Sequence, residues 1–485
     1  MDENMIFKPI APIPQEADIQ PVGQSFAQAS AGGPEIPVGN PIVPPPPPEL
    51  QSSPLPSLLF KILKIALGIA IVLGIIVFIY NVILPKFMPA KINQVTLAYW
   101  GLFENAPVVA PIIADFEKEH PNIKIEYSKQ DVDQYKDRLV TRSNNGNGPD
   151  IFRFHNTWVS ELTDLLLPLP GSVISKEDFS KNYYPVAKSD LVRQGAIYGV
   201  PLQIDTLNLF INRDLFQAAG LKPPTTWIEF ANTARQLTVK DGDNNIKTAG
   251  TAMGTYGNIT HAPDIISMLF VQNGVNLNDM ASGLLAAGDA LSFYSSFALP
   301  TANVWDDTLD ESIKAFASGT LAMYFGYSGD FFTIKSMNPN LSFDIYPVPA
   351  LPGQNATIAS YWVEGVSVRT KHQKEALLFM QYLARSQTAQ KLFAEEAKTR
   401  NFGEPYARID LADSLKDSIA YPFVASAASA VSSFFVDGTF DNGLNSQMNS
   451  QLSAAVDSIL KGTSPQAAAE SLWAGILPVL KQYGL

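Results

Sequence analysis

Asp205 is the first candidate for chemistry, because it lies in an otherwise apolar stretch, YGVPLQIDTLNLFIN, from Tyr198 to Asn212. Burying an unpaired carboxylate costs several kcal/mol, so this side chain must be solvated, paired or in contact with a ligand. The sequence leaves these alternatives open. Asp205 either accepts hydrogen bonds from a ligand, or it pairs with Arg213 or Arg153, or it caps the following strand.

Residues for metal binding and common catalysis are sparse. The chain has no cysteine and four scattered histidines, so we expect no metal site, no thiol nucleophile and no cofactor. The run DGDNN, Asp241 to Asn245, begins like a calcium loop, but Ile246 stands where that loop requires glycine, so we predict a hairpin turn. The sequence also lacks a P-loop, an HExxH motif and a GxSxG elbow, so it contains none of these motifs of common hydrolases.

The charge of the chain bears on its partners. Acidic residues outnumber Lys and Arg by 46 to 34, which gives a formal net charge of −12 over 485 residues. No basic run interleaved with aromatic residues occurs, so we expect no nucleic-acid partner.

The first part of the chain predicts a tail, a membrane helix and a linker. Residues 1–57 hold 14 of the 36 prolines and few large apolar residues, which indicates a disordered tail that acts as a stiff spacer or as a docking site. The twenty residues from Ile65 to Leu84 carry no charge and can cross a hydrocarbon core of roughly 30 Å. We predict an uncleaved transmembrane helix at 58–84 and a linker at 85–91.

The orientation of this helix is open on charge alone, because two lysines flank each end. We expect the tail in the cytoplasm and the rest outside the cell, in a single-pass membrane protein, since a domain that binds solutes must meet them before they cross.

From Ala90 onward the sequence is typical of an α/β protein. Strands are predicted at INQVTLAYWG, IKIEYSKQ and IFRFHN, with helices at APVVAPIIADFEKEHPN and in DVDQYKDRLVTRSNNGNGPD. Alternating strands and helices predict a parallel sheet, which binds ligands beyond the carboxyl ends of its strands. After about Asp306, helices are expected to dominate.

Several motifs follow one another in this region. They are VTLAYWG with IIADFEKEHPNIKIEY, NGNGPDIFRF, AIYGVPLQIDTLNLFINRDLFQAAGLKPPTTWIEF, and AFASGTLAMYF. Together they resemble the family 1 extracellular solute-binding proteins of ABC importers, the group that includes maltodextrin-binding proteins. The resemblance covers about Val95 to Leu485. The chain departs from the family at Ile211, where members usually have tyrosine, and in its long tail and uncleaved helix.

The resemblance implies a two-lobed α/β clamshell, the type II periplasmic-binding-protein fold, that is not an enzyme and closes on a ligand. On this basis lobe 1 comprises 92–205 with about 352–400, and lobe 2 comprises 206–351 with about 401–485. The ligand would lie between the lobes.

The resemblance also places ligand-binding residues. Sugar rings stack their apolar faces on aromatic rings, while their hydroxyl groups need polar partners, so a sugar site combines both kinds of residue. Trp100 lies at a strand end. A lone tryptophan at this position is equally consistent with a ligand contact and with a core residue. The expected ligand contacts are Trp100, Glu104, His155, Asn156, Asp205, Tyr327, Ser328, Asp330, Trp362 and Glu364.

These expectations favour a membrane-anchored extracytoplasmic protein that captures a sugar or oligosaccharide and passes it to ABC permease subunits. Two alternatives remain open from the sequence. The same clamshell would serve as a membrane-bound ligand sensor that signals to the tail, and an exported glycan-processing enzyme would need two carboxylates flanking one bond.

Overall fold

The computed structural model describes residues 55–83, 94–277 and 279–485, and it divides into two compact units between Ala90 and Lys91. The predicted linker and nearly all of the predicted tail lie outside the described residues.

The first unit contains helix α1 (Leu55–Phe78), which continues as a wider π-helical turn, Ile79–Ile83. In the described part of the chain, the segment Leu59–Val82 is the one helix long and apolar enough to cross a membrane. Twenty-four residues at 1.5 Å per residue span about 36 Å, which exceeds a hydrocarbon core of about 30 Å. Length and composition are therefore compatible with an anchor.

The second unit contains fourteen strands among the described residues. They are β1 (Val95–Gly101), β2 (Ile123–Lys129), β3 (Ile151–His155), β4 (Val192–Arg193), β5 (Ala196–Ile197), β6 (Val200–Pro201), β7 (Asn208–Asn212), β8 (Val239–Lys240), β9 (Ile246–Thr251), β10 (Leu321–Gly326), β11 (Phe343–Tyr346), β12 (Thr357–Ile358), β13 (Trp362–Val366) and β14 (Ala430–Val431).

Its α-helices complete the layers around these strands. They are α2 (Ala106–Glu119), α3 (Tyr135–Asn144), α4 (Lys176–Asn182), α5 (Pro185–Leu191), α6 (Arg213–Ala219), α7 (Trp227–Leu237), α8 (Ala262–Gln272), α9 (Leu284–Ser296), α10 (Ser312–Ala317), α11 (Ser328–Met337), α12 (Gln373–Leu383), α13 (Ser386–Glu396), α14 (Tyr421–Ser426), α15 (Leu444–Leu460) and α16 (Pro465–Gln482).

The first sheet has the order β2-β1-β3-β13-β6. Strands β1, β2 and β3 are parallel, as the alternation of strands and helices predicts, whereas β13 runs antiparallel to β3 and β6. Aromatic rings fill the layer beneath this sheet, where Phe379 packs 4.8 Å from Phe116 and 5.8 Å from Tyr99 between ring centroids.

The second sheet has the order β11-β7-β10-β9-β8, with β9 and β10 parallel and β7 antiparallel to both β10 and β11. The predicted hairpin turn at Asp241–Asn245 is confirmed, since it joins the antiparallel strands β8 and β9. The expectation that helices dominate after about Asp306 is confirmed, although residues 321–366 also contain the strands β10 to β13. These short strands pair with distant strands, and such pairing leaves little local signal in sequence.

Three chain segments connect the lobe built on the first sheet to the lobe built on the second. Residues 202–207 lead from β6 to β7, and residues 347–361 lead from β11 to β13, while residues 397–443 lead from α13 to α15. We call these the crossing segments. They hydrogen-bond side by side, since Leu207 N donates to Ile358 O at 2.9 Å and Ala359 N donates to Val431 O at 2.9 Å. The molecule is thus a two-lobed α/β fold with a narrow, multi-stranded connection.

Candidate functional site

One edge of the first sheet brings together the end of β3 and the start of β13. The antiparallel pairing of these strands places Trp362 directly opposite His155. Strand β1 ends nearby at Gly101, parallel to β3. Ligands of α/β proteins bind beyond the carboxyl ends of parallel strands, so this edge is where a ligand is expected.

An aromatic cluster, defined as Phe103, His155, Trp158 and Trp362, occupies this edge. The ring centroid of Trp362 lies 5.4 Å from that of Phe103, 5.2 Å from His155 and 5.2 Å from Trp158, all in edge-to-face contacts. Phe103 is 42% exposed and Trp362 is half-buried, whereas Trp158 and His155 are buried. The exposed rings offer an apolar surface on which a ring-shaped ligand can stack.

The sequence analysis did not single out Phe103 or Trp158. The signal for Phe103 was its place in WGLFEN, between two residues that were predicted to bind ligand. Nothing local marks Trp158, because its position depends on the contact with β13.

His155 is held neutral within this cluster. Its Nδ1 lies 2.8 Å from Thr157 Oγ1, and its Nε2 lies 3.0 Å from Ser360 Oγ. Burial, with a smaller effect from the positive charge of Lys136, lowers the pKa of His155 to about 3. The two hydroxyl partners fix the orientation of the ring, and burial keeps the ring uncharged at neutral pH.

Trp100 lies apart from the aromatic cluster. Its half-buried ring is 6.4 Å from Tyr135 between centroids, and the guanidinium carbon of Arg142 lies 5.9 Å from the ring centroid. Tyr135 stacks in turn on Trp158 at 6.4 Å. Trp100 therefore connects to the cluster through one intervening ring.

Glu104 and Glu364 hold a buried arginine. Arg153 Nη1 donates to Glu104 Oε2 at 2.6 Å, and Arg153 Nε donates to Glu364 Oε1 at 2.8 Å. Tyr99 OH also donates to Glu364 Oε1 at 2.8 Å, and Gln203 Nε2 donates to Glu104 Oε1 at 3.3 Å. These contacts join β1, β3, β13 and the first crossing segment, so both glutamates position other elements.

The carboxylates of Glu104 and Glu364 both face the single guanidinium of Arg153, so acidic groups outnumber basic groups in this buried cluster. Burial acts to raise the pKa of Glu104, but the charge and hydrogen bond of Arg153 outweigh it and lower that pKa. For Glu364 burial prevails over Arg153 and raises the pKa. Its second oxygen, Oε2, is buried and has no hydrogen-bond partner among the described residues. Of the two glutamates, Glu364 is therefore the one that binds a proton more readily.

Asn156 connects the first lobe to the second and third crossing segments. Its Nδ2 donates to Asp190 Oδ2 at 3.0 Å and to Ser432 Oγ at 2.9 Å, and its Oδ1 accepts from Tyr361 N at 3.1 Å. All of its side-chain polar atoms are thereby engaged, which suits a residue at the point where the lobes meet.

Asp205, in the first crossing segment, caps a helix of the second lobe. Its Oδ2 accepts from Ser328 N at 2.9 Å and from Ser328 Oγ at 2.6 Å, and its Oδ1 accepts from Thr206 N at 2.9 Å. Burial, followed by the negative charge of Glu404, raises the pKa of Asp205 well above its usual range. The acid thus satisfies the amide and hydroxyl groups of Ser328 at the amino terminus of α11, where the helix dipole favours negative charge.

The arginine partners considered for Asp205 are engaged elsewhere. Arg213 forms a two-pronged contact with Asp344, with Nε at 2.9 Å from Oδ2, and Arg153 is held as described above. Neither arginine pairs with Asp205, and the acid caps a helix rather than the following strand.

Tyr327 and Asp330 belong to a polar cluster of the second lobe. Tyr327 OH donates to Asp264 Oδ1 at 2.6 Å, and Asp330 Oδ2 accepts from Tyr324 OH at 3.0 Å and lies 2.9 Å from His261 Nε2. Burial acts to lower the pKa of His261, but the charge of Asp330 and neighbouring acids outweighs it and raises the pKa to about 10. His261 is therefore a cation held by acids.

The structure distributes the ten predicted residues over several groups. His155 and Trp362 share the aromatic cluster, and Glu104 and Glu364 share Arg153. Asp205 and Ser328 bind each other, while Tyr327 and Asp330 lie next to Ser328 at the start of α11. Trp100 and Asn156 stand in separate contacts. No group of three or more metal-ligating side chains occurs among the residues described.

A surface cavity of about 400 Å³ lies in the second lobe, and Trp227, Arg235, Asp289 and Phe293 are among its lining residues. None of the ten predicted residues lines it. The cavity is therefore a feature distinct from the ends of β1 and β3.

The model of the family described as "Bacterial extracellular solute-binding protein" matches residues 104–390. The "Multiple sugar-binding protein" of Streptococcus mutans is 25% identical over 323 residues, which cover 64% of this chain and 75% of that protein. A putative binding protein of Brucella abortus is 23% identical over 261 residues, which cover 51% of this chain and 61% of that protein.

Solved structures of other proteins share the two-lobed fold of this chain. A crystal structure of a cyclo/maltodextrin-binding protein complexed with maltotetraose superposes with a TM-score of 0.65 at 16% identity, over 81% of this chain and 99% of that one. At such low identity the likeness concerns the fold.

Proposed function

Since the chain belongs to the bacterial extracellular solute-binding protein family, we propose that it binds a sugar or oligosaccharide between its lobes and delivers it to an ABC permease. The aromatic cluster carries this proposal. Phe103 and Trp362 expose ring surface at the end of the first sheet, beside polar groups of the crossing segments. Stacking rings next to hydroxyl and amide groups suit the two kinds of surface that a sugar presents.

Binding would proceed without chemistry on the ligand. A ligand that contacts both lobes favours the closed arrangement by the difference between its affinities for the closed and open states. The three crossing segments are the natural hinge, because few residues absorb large backbone changes in such domain closures. Asp205 and Asn156 tie these segments to the lobes, so they would transmit closure even where they do not contact the ligand.

Anchoring by α1 is the second part of the proposal. Its length and apolar composition support a single membrane span. We place residues 91–485 outside the cell and the tail inside, because a domain that binds solutes must meet them before they cross. A tethered binding protein stays near its permease, which raises the effective concentration of loaded protein.

The proposal is tested by screening the purified protein against a glycan panel for a thermal shift, followed by calorimetry on any hit. A ligand at 100 times its dissociation constant should stabilise the protein by about 2.7 kcal/mol, which is readily visible as a higher Tm. A panel of mono- and oligosaccharides that leaves the Tm unchanged, alongside a non-sugar solute that raises it, would contradict a carbohydrate ligand.

Delivery to a permease needs a second measurement. Deleting the gene should abolish uptake of the identified glycan, and uptake should return with the wild-type gene. Unchanged uptake in the deletion strain would contradict the transport role while leaving ligand binding intact.

A further inference from the structure

The second lobe carries an apolar groove that the proposed sugar site does not use. It is the cavity of about 400 Å³ lined in part by α7 and α9, and we call it the α7–α9 groove. The buried indole of Trp227 and the ring of Phe293 pack at 5.6 Å between centroids and form part of its lining. This volume falls within the range typical of pockets that accept apolar groups.

Two exposed aliphatic side chains lie on the helices that line this groove, and one of them, Ile228, is itself part of the lining. Ile228 on α7 is 77% exposed and Leu285 on α9 is 74% exposed. They are the two most exposed of the large hydrophobic residues in the described part of the second unit. Exposed apolar side chains next to an apolar groove mark an interaction surface rather than scattered surface residues.

Each helix also presents one charge on the same face. Arg235 lies seven residues after Ile228 on α7, and Asp289 lies four residues after Leu285 on α9, spacings that keep each pair on one helix face. The Arg235 Nη2 contact within the described residues is with the neutral Asn232 Oδ1 at 2.8 Å. Neither Arg235 nor Asp289 forms a salt bridge with a described residue. The surface therefore holds a cation and an anion that do not neutralise each other.

We propose that the α7–α9 groove is a twofold interface between two copies of this chain. In such an interface the same patch meets itself, so it must carry both members of every complementary pair. A twofold rotation places α7 of one copy against α9 of the other. Arg235 of each copy then faces Asp289 of its mate, and Ile228 and Leu285 enter the apolar grooves.

A second copy explains more of the surface than a small apolar ligand does. A small apolar ligand would fill the groove and cover Ile228, but it would leave Leu285 in water and the two charges unmatched. The net charge of −12 makes copies repel at long range, so local opposite charges are needed to fix their orientation.

Disulfide trapping tests the geometry, and the chain suits it because it contains no native cysteine. Two differently tagged full-length copies, one with Ile228→Cys and one with Leu285→Cys, are expressed together and oxidised in membranes. Copies in the twofold interface should cross-link at least fivefold more than a control pair in which Val239→Cys replaces Ile228→Cys. Val239 is 55% exposed in the same lobe. Equal cross-linking of both pairs would overturn the proposal.

Charge reversal tests the pairing independently. R235D alone and D289R alone each place like charges opposite one another, so each variant should lose most of the cross-linking with its own kind. An R235D copy mixed with a D289R copy restores both opposite-charge contacts and should recover it. A mixture that stays as low as either variant alone would overturn the proposal, and so would single variants that cross-link like the wild type. Both residues are exposed, and unchanged circular dichroism confirms that the variants fold.

Discussion

At the scale of single residues, the aromatic cluster combines a rigid base with an accessible edge. Trp158 and His155 are buried and fix Trp362, whose other neighbour, Phe103, reaches solvent. The proposed ligand surface is preorganised, because Trp362 packs against the buried rings of Trp158 and His155.

Replacing Phe103 with alanine should weaken ligand binding without destabilising the empty protein. The loss of one stacking ring is worth about 1 to 1.5 kcal/mol, or roughly tenfold in affinity, while an exposed side chain contributes little to the core. Calorimetric affinity and the Tm of the empty protein measure the two effects. Met337→Ala, at 50% exposure on α11, is the matched control. An unchanged affinity in Phe103→Ala would place the ligand elsewhere.

Asp205 should contribute to the stability of the empty protein as well as to any ligand contact. Asp205→Ala removes the acceptor for Ser328 N and Oγ, and loss of such a cap costs about 0.5 to 2 kcal/mol. Ser328→Ala removes the hydroxyl contact alone and should cost less. Urea unfolding of both variants measures the order. An Asp205→Ala protein as stable as the wild type would show that the cap does not contribute to the free energy of unfolding.

His155 should make the protein less stable in mild acid. Its pKa is about 6.5 when unfolded and about 3 when folded, so its contribution is complete above pH 6.5 and is lost as the pH falls toward 3. The loss at pH 5 is about 2 kcal/mol. His155→Gln cannot titrate, so the difference in unfolding free energy between wild type and variant should shrink by this amount from pH 7 to pH 5. A difference that does not vary with pH would contradict the buried, neutral histidine.

At the scale of elements, side-chain caps decide where helices begin near the site. Helix α6 starts where Asn212 accepts from Asp214 N and Leu215 N, and α7 starts with a capping box between Thr226 and Glu229. Helix α11 differs, because its external cap, Asp205, comes from a crossing segment. The start of α11 is thereby tied to the hinge.

Charges placed in the middle of α1 should release the chain from the membrane. Ile71→Arg combined with Leu73→Arg adds about 2.5 to 3.5 kcal/mol of insertion cost for each arginine at the helix centre. The fraction of protein that stays in the membrane pellet after an alkaline wash should fall sharply. The control, Ile71→Leu with Leu73→Ile, should behave like the wild type. Retention of the arginine variant in the pellet would show that another segment anchors the chain.

At the scale of the whole molecule, the chain separates an apolar helix from a globular unit that begins near Lys91. Within that unit two sheets share three crossing segments, which allows the lobes to move as bodies while their cores stay packed. The lobe boundaries proposed from the sequence stay predictions.

The fragment 91–485 should be soluble, folded and able to bind the ligand with the affinity of the full-length protein. The residues of its hydrophobic core all lie within this unit, so the fragment keeps the whole of that core. A single cooperative melting transition and matching calorimetric affinities check this. Aggregation with exposed apolar surface would indicate that residues before Lys91 cover part of the domain.

The sequence by itself determined the features that depend on neighbouring residues. An uncharged run predicted α1, alternation and helical periodicity predicted β1 to β3 with α2 and α3, and ordered motifs predicted the family and its two-lobed fold. Each of these signals is contained in a window of a few tens of residues, where spacing alone reports which side chains share a face.

Only the tertiary structure decided which partners the predicted site residues take. Asp205 meets Ser328 across 123 positions, and Arg153 meets Glu364 across 211. Phe103 belongs to the aromatic cluster because β13 returns antiparallel beside β3 and carries Trp362 to it. Strand order and register set these contacts, and they follow from how the whole core packs, which no local pattern of residues records.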